Sequence, residues 1–276
     1  GKMETRFFGA YRYRTWNGSL GSTDIQVAYG VYGEKRGEWE LGNPRHSYLV
    51  RGAMGDYKSD RFNSDGLLQS GRASLFGSLT STIPLWSGSK AELTPLAAYR
   101  YSPVAVVPGI SLNTNVNATA AIYGTSDHQE SLSFSGGPTL TLGTFSKPFL
   151  DFTQISLIGG GTLCNGASPF EFDRVVDFGT VGIGITQQIV GPLLISTGVN
   201  LNVDPGSEFY GDVLDSNIEL RWQRRSYDVG LYFNPYQGIG GVRFRLNDFS
   251  FKGTGVPFMP YAPADWLNDV DEDRPY

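Results

Sequence analysis

No stretch limits what this chain can become more than the one from Glu219 to Phe251. Leu220 and Trp222, then Tyr227, Val229, Leu231 and Phe233, then Val242, Phe244 and Leu246 alternate with Glu219, Arg221, Gln223, Arg225, Asp228, Asn234, Arg243, Arg245 and Asn247. A period of two is the period of a strand, whose successive side chains point to opposite faces. One face is aromatic and branched, while the other carries arginines, amides and carboxylates that do not enter a dry core without partners. One side therefore meets an apolar medium and the other meets water. Two folds satisfy that demand over a long sheet: a half-buried soluble sheet, or a transmembrane barrel with an apolar outside and a wet lumen.

The same alternation recurs upstream. Tyr11 and Tyr13 oppose Arg12 and Arg14 within a strand from Glu4 to Thr15, and Asn17-Gly18 follows as a turn signal. Ile25, Val27, Tyr29 and Val31 alternate with Asp24, Gln26, Ala28 and Gly30, completing a hairpin. Lys35 to Pro44 reads as a polar loop, Ser47 to Asp56 and Arg72 to Ile83 as strands, and Leu67 to Leu79 also fits a short helix. Ala97 to Val107 reads as extended, with Pro103 and Pro108 placing it near an edge. Ile110, Leu112, Val116, Ala118, Ala120 and Ile122 alternate with Ser111, Asn113, Asn115, Asn117 and Thr119. Asparagine is a poor strand former, so this row of amides calls for a hydrated face. Leu132 to Thr144, Phe149 to Leu163, and two strands joined by the Gly191-Pro192 turn continue the pattern. The expectation is an all-β, antiparallel transmembrane barrel, or a large segment of one, with roughly 11–13 strands.

Composition agrees: glycine (36), tyrosine (15) and phenylalanine (17) are abundant, and only 18% of residues are charged. Secreted β proteins share that profile. A net charge of -5 gives no overall basic character for nucleic acid. Cys164 is the single cysteine, so an intrachain disulfide is excluded, and with only His46 and His128 a Cys/His zinc site is not expected. No run of about 18 apolar residues makes a membrane-spanning helix. Nothing at the start reads as a signal peptide, and a mature chain or a segment of a longer one is expected. The barrel region is assigned to residues 1–252, and residues 253–276 form a proline-rich acidic tail that cannot be a strand of the sheet.

Several segments carry a family resemblance: YRYRTWNGSLGSTDIQ at 11–26, GPTLTLGTFSKPFLDFTQISL at 137–157, SPFEFDRVVDFGTVGIGITQQIVGPLL at 168–194, and ELRWQRRSYDVGLYFNPYQGIGGVRFRLNDFSFKGTGVPF at 219–258. Together they resemble the cyanobacterial-type branch of the lipopolysaccharide-assembly outer-membrane proteins, the LptD family. The resemblance implies a cell outer-membrane barrel that accepts lipopolysaccharide or a related glycolipid from a periplasmic Lpt bridge protein and releases it through a lateral gate. Outer-membrane lipids and a lipoprotein plug are its implied neighbours. The better-known members have a barrel of about 26 strands, for which 276 residues are too few at about 20 residues per strand. The periplasmic jellyroll that should precede the barrel in those members is not visible within these residues, and the cysteines that tie the two domains together there are absent, since Cys164 stands alone. A segment of a bigger protein is the expected explanation.

Arg12, Arg14, Arg221, Arg225, Arg243 and Arg245 are expected on the polar face. Guanidinium forks suit phosphate, so these arginines fit a path for a phosphorylated sugar core; they equally fit salt bridges with lumenal Asp and Glu. The candidate gate is the seam between Arg6–Thr15 and Gly241–Phe251, where Gly9, Gly238, Gly240 and Gly241 weaken pairing. Outer-membrane lipases need a serine, an activating histidine and an orienting third group. Neither His128 with Ser131 and Glu130, nor His46 beside Ser47, has the spacing of a triad, and Asp173 stands out no more as an acid. No enzyme activity, cofactor or metal is expected. A passive porin-like channel and a soluble carbohydrate-binding β protein are the alternatives.

Overall fold

The computed structural model describes residues 3–90, 101–102, 105–224 and 227–246. Twelve strands form one sheet: β1 (Met3–Trp16), β2 (Ser22–Glu40), β3 (Arg45–Asp60), β4 (Leu67–Ser87), β5 (Gly109–Tyr123), β6 (His128–Leu142), β7 (Thr153–Gly166), β8 (Gly179–Val190), β9 (Leu193–Asn202), β10 (Val213–Gln223), β11 (Tyr227–Asn234) and β12 (Ile239–Leu246). Their spatial order is their chain order, and every neighbour pair is antiparallel. Among the described residues no ladder joins β1 to β12, so the sheet is a meander with two edges and not a closed barrel.

The meander curls nonetheless. The turn after β1 touches the turn between β11 and β12, where the Trp16 and Tyr236 rings lie 5.8 Å apart and the Tyr236 phenol donates to the Gly18 carbonyl at 2.8 Å. With the strands in sequential order, that contact requires the sheet to bend through most of a turn. The rim carrying these turns is called the upper rim; Met3 and Leu246 lie at the lower rim.

Segment 167–178, between β7 and β8, crosses the concave face to β2, β3 and β5. Phe170 is fully buried there among Tyr57 and Tyr123, with Ile25, Ala28 and Ala121 around it and Phe8, Ala10, Leu68 and Phe172 at the margin. At the lower rim, residues 143–152 cover β8 and β9 through Phe145, Phe152 and Leu194. These two caps supply the apolar core clusters, and the concave face between them is polar.

Two expectations need correction. Residues 35–40, read as the start of a loop, continue β2 in register with β3, from Lys35 opposite Val50 to Glu40 opposite Arg45; a lone strand end this polar survives because the ladder satisfies its backbone. Leu67 to Leu79 is strand and not helix, pairing on both sides with β3 and β5. Most of the 97–107 stretch, and the tail 253–276, lie outside the described residues.

Candidate functional site

Register sorts every strand residue onto one of two faces. On the concave face of β5 stand Ser111, Asn113, Asn115, Asn117 and Thr119, as the alternation predicts, and two of these amides bond sideways to neighbouring strands. Asn113 donates to Thr139 at 2.8 Å and accepts from Thr82 at 2.9 Å, while Asn115 meets Ser78. Several charged groups on this face form ion pairs. Glu34 accepts from Arg51 at 2.8 Å and also from Arg36, and Arg72 pairs with Asp173 at 2.6 Å. On β10 to β12, Arg243 pairs with Glu219 at 2.6 Å and Arg245 with Asp228 at 2.9 Å.

The convex face is the opposite in chemistry. Phe7, Val27, Val31, Met54, Leu75, Val116, Phe134, Leu157, Ile183, Ile195, Leu220, Leu231 and Val242 all lie on it, one or more from every strand. Phe7 is 89% exposed, Leu163 74% and Val242 64%. Among the described residues, charged side chains on this face occur only toward the rims: Arg12, Arg14, Asp24, Asp56, Lys58, Asp60 and Glu130 above, Lys35 below. Trp39, Trp86, Trp222 and Tyr227 mark the lower margin, Trp39 stacked on His46 at 5.1 Å and Arg224 over Trp222 at 5.0 Å.

The arginines expected to share one face divide. Arg221, Arg243 and Arg245 lie together on the concave face of β10 and β12, where the two on β12 are ion-paired. Arg225 lies outside the described residues. Arg12 and Arg14 lie elsewhere, and the reason is local. Arg12 has φ +50, and on β2 a bulge between Ile25 and Val27 shifts register against β3. Alternation changes phase there: Tyr11 faces out with Val27, Tyr13 faces in with Ile25, and Arg14 faces out with Asp24.

Gly9 is in edge strand β1, Gly240 and Gly241 in edge strand β12, and Gly238 in the preceding turn at φ +67. All four therefore border the unpaired seam. His128 and Ser131 occupy opposite faces of β6, and His46 bonds Ser81 at 2.8 Å rather than Ser47. Among the described residues no group of three His, Cys, Asp or Glu is placed to hold a metal.

The contacts at the two rims join residues far apart in the sequence. Asp173 anchors the upper cap, accepting from Arg72, from the Tyr123 phenol at 2.9 Å and from Ser168. Asp177 accepts from the Ser19 amide at 3.1 Å and from Asn202 at 2.7 Å, and Asn17 donates to the Glu171 and Arg174 carbonyls. Burial raises the Tyr236 phenol above its usual pKa, helped by Asp177, Asp212 and Asp215, so it stays a donor. In the lower cap, burial pushes the Asp151 carboxyl up, but the Ser146 amide, the Lys147 charge and the Thr144 hydroxyl outweigh it and hold it below its usual value. Cues for these roles existed only in long-range contacts.

The comparison that gives an affiliation is a family model spanning residues 1–250, described as a protein of unknown function, DUF3769. The chain belongs to that family. DUF3769 is uncharacterised, so membership carries no activity with it. No curated protein and no solved structure matches this DUF3769 chain.

Proposed function

We propose that this DUF3769 chain is an outer-membrane β-sheet translocon, or part of one, that passes lipopolysaccharide or a related glycolipid from a periplasmic bridge into the outer leaflet through a lateral opening. The observation that carries the membrane half of this reading is the convex face: twelve strands of exposed apolar side chains, without a charge between the rims and with tryptophans along one margin. A soluble monomer seldom exposes a contiguous apolar patch beyond a few hundred Å². A hydrocarbon belt flanked by aromatic girdles is what lipid requires of a sheet.

Transport by a lateral route rests on the unpaired seam between β1 and β12 and on the resemblance to the lipopolysaccharide-assembly barrels. An amphiphile needs a polar path for its sugars and an apolar exit for its acyl chains, and such a seam joins the two faces. The Phe170 cap favours this reading over a passive porin, since it blocks the concave face at the upper rim beneath β2 to β5. A partner barrel segment or a lipoprotein plug would complete the enclosure.

Two experiments test the reading. Refolded in detergent, the chain gives a compact species whose gel mobility changes on boiling; a protein that stays soluble and monomeric without detergent rules out the membrane half. Depletion in cells removes lipopolysaccharide from the surface, and unchanged surface lipopolysaccharide rules out the transport half.

A further inference from the structure

We propose that Arg12 and Arg14 form a binding site for the phosphorylated headgroup of a membrane lipid, on the outside of the sheet at the upper end of the seam. This rests on the membrane reading above and adds to it a site on the face opposite the polar path. The recess is about 560 Å³, open to solvent, and lined by Arg12, Arg14, Asp24 and Gln26.

Three features of the recess point to that ligand. First, it sits at the right depth. The next outward residues down β1 and β2 are Tyr11, 74% exposed, then Gly9 and Phe7, with Val27 and Tyr29 alongside, so the guanidinium groups stand where an apolar band gives way to a polar rim. Lipid phosphates lie at that boundary. Second, Arg12 forms no ion pair among the described residues; its one ring contact is with Tyr11 at 5.7 Å. Arg14 donates to Asp24 from Nε at 3.0 Å and from Nη2 at 3.5 Å, and it lines the recess together with Arg12. Arg12, Arg14 and Asp24 together leave one net positive charge, with Lys58 a further cation two strands in. Asp56 and Asp60 also stand at this rim and bring the wider charge, Lys58 included, to balance, so the net positive charge is local to the recess; Asp56 accepts from Gln69 at 2.7 Å and Asp60 from the Asp24 amide at 3.1 Å.

Third, the backbone is strained to put the arginines there. Arg12 occupies the left-handed region at φ +50, which disfavours any side chain with a Cβ and which glycine would occupy freely. Unbulged alternation would turn both arginines onto the concave face. The bulge instead carries them outside, onto the edge strand of the seam, where a lipid leaving or lodging beside that seam presents its headgroup. Paired guanidinium groups at a water–lipid boundary match a phosphate monoester through charge-assisted hydrogen bonds.

The test uses the full chain inserted into phosphatidylcholine vesicles containing a minor fraction of phosphatidic acid, whose headgroup is a bare phosphate. Lipid retained through detergent extraction is quantified for the wild type, for Arg12→Gly with Arg14→Gln, and for Lys147→Gln at the lower rim. Arg12→Gly relieves the strained φ, so the double variant keeps its fold, which boiling-dependent gel mobility checks. The expected result is selective retention of phosphatidic acid that falls about five-fold or more in the double variant, is unchanged in Lys147→Gln, and resists excess inorganic phosphate because the bilayer holds the lipid at high local concentration. Equal retention by the double variant overturns the site. Displacement by inorganic phosphate overturns the lipid source in favour of a free-phosphate site. A chain that does not enter vesicles overturns the membrane reading and this inference together, whereas insertion without selectivity overturns this inference alone.

Discussion

The Tyr236 phenol donates a 2.8 Å hydrogen bond to the Gly18 carbonyl, joining the turn between the last two strands to the turn after the first. Among the described residues β1 and β12 do not pair, and this bond and the adjoining Trp16 ring clasp the two ends of the sheet at the upper rim. Gly18 is required at its position twice over. Its φ is +47, and a Cβ there would lie 2.0 Å from an Asp177 carboxylate oxygen. Gly18→Ala is expected to cost about 2 kcal/mol or more, and Tyr236→Phe about 1 kcal/mol. The temperature at which the folded gel band converts to the unfolded one reads both, with Gly18→Ala the lower. Equal temperatures for Gly18→Ala and wild type would show the clasp to be dispensable.

The Arg72–Asp173 pair holds the upper cap in place. Both side chains are 15% exposed, so removing one partner leaves the other charged in a largely dry site. Arg72→Ala is expected to destabilise the cap by about 3 kcal/mol or more, and Arg72→Met combined with Asp173→Asn by less, since the second removes the orphaned charge. Limited proteolysis after Arg174, in segment 167–178, reads the difference. Cleavage should appear in Arg72→Ala and be weaker in the double variant.

The strands were legible where alternation is unbroken. In β5 and in β10 to β12, each residue's partner across the ladder confirms the face that its neighbours in sequence assign. Legibility ends where a backbone irregularity changes phase without changing composition. The run Tyr11-Arg12-Tyr13-Arg14 alternates perfectly on paper, yet φ +50 at Arg12 sends Tyr11 and Tyr13 to opposite faces. Leu67, Leu68, Leu75, Phe76 and Leu79 have helical spacing too, and only ladders on both sides make them strand. The caps were invisible for another reason. Phe170 and Asp173 act through Tyr57, Arg72 and Tyr123, at least 47 positions away in sequence, a relation no local window contains.

Neighbouring residues of β5 separate a lipid-facing sheet from a soluble one. Val116 faces out at mid-strand and Asn115 faces the polar concave side. In a bilayer, Val116→Arg is expected to cost about 2–4 kcal/mol while Asn115→Arg costs little. Folding yield into vesicles over a urea series measures both. A soluble sheet with water on its convex face would tolerate Val116→Arg well, and similar yields for the two variants would count against the membrane belt.

Glu171 makes the upper cap sensitive to pH. Burial raises its carboxyl above the usual value of 4.5, and the Asp60 charge raises it further. A carboxyl whose folded pKa is raised favours the folded cap most when protonated: the benefit is complete below the unfolded value and is lost as pH rises through the folded one. At neutral pH the ionised Glu171 therefore works against its own segment. Glu171→Gln removes that opposition and keeps a side chain of the same shape, and its backbone carbonyl still accepts from Asn17. Amide hydrogen exchange across 167–178, corrected for the intrinsic rate at each pH, should show stronger protection in Glu171→Gln than in wild type near pH 7. The two should converge below about pH 4.5, where the wild-type carboxyl is protonated in both states. Equal protection near pH 7 would mean that water reaches Glu171 and screens Asp60, and the cap would then owe its stability to Phe170 and the Arg72–Asp173 pair with no penalty from acid charge.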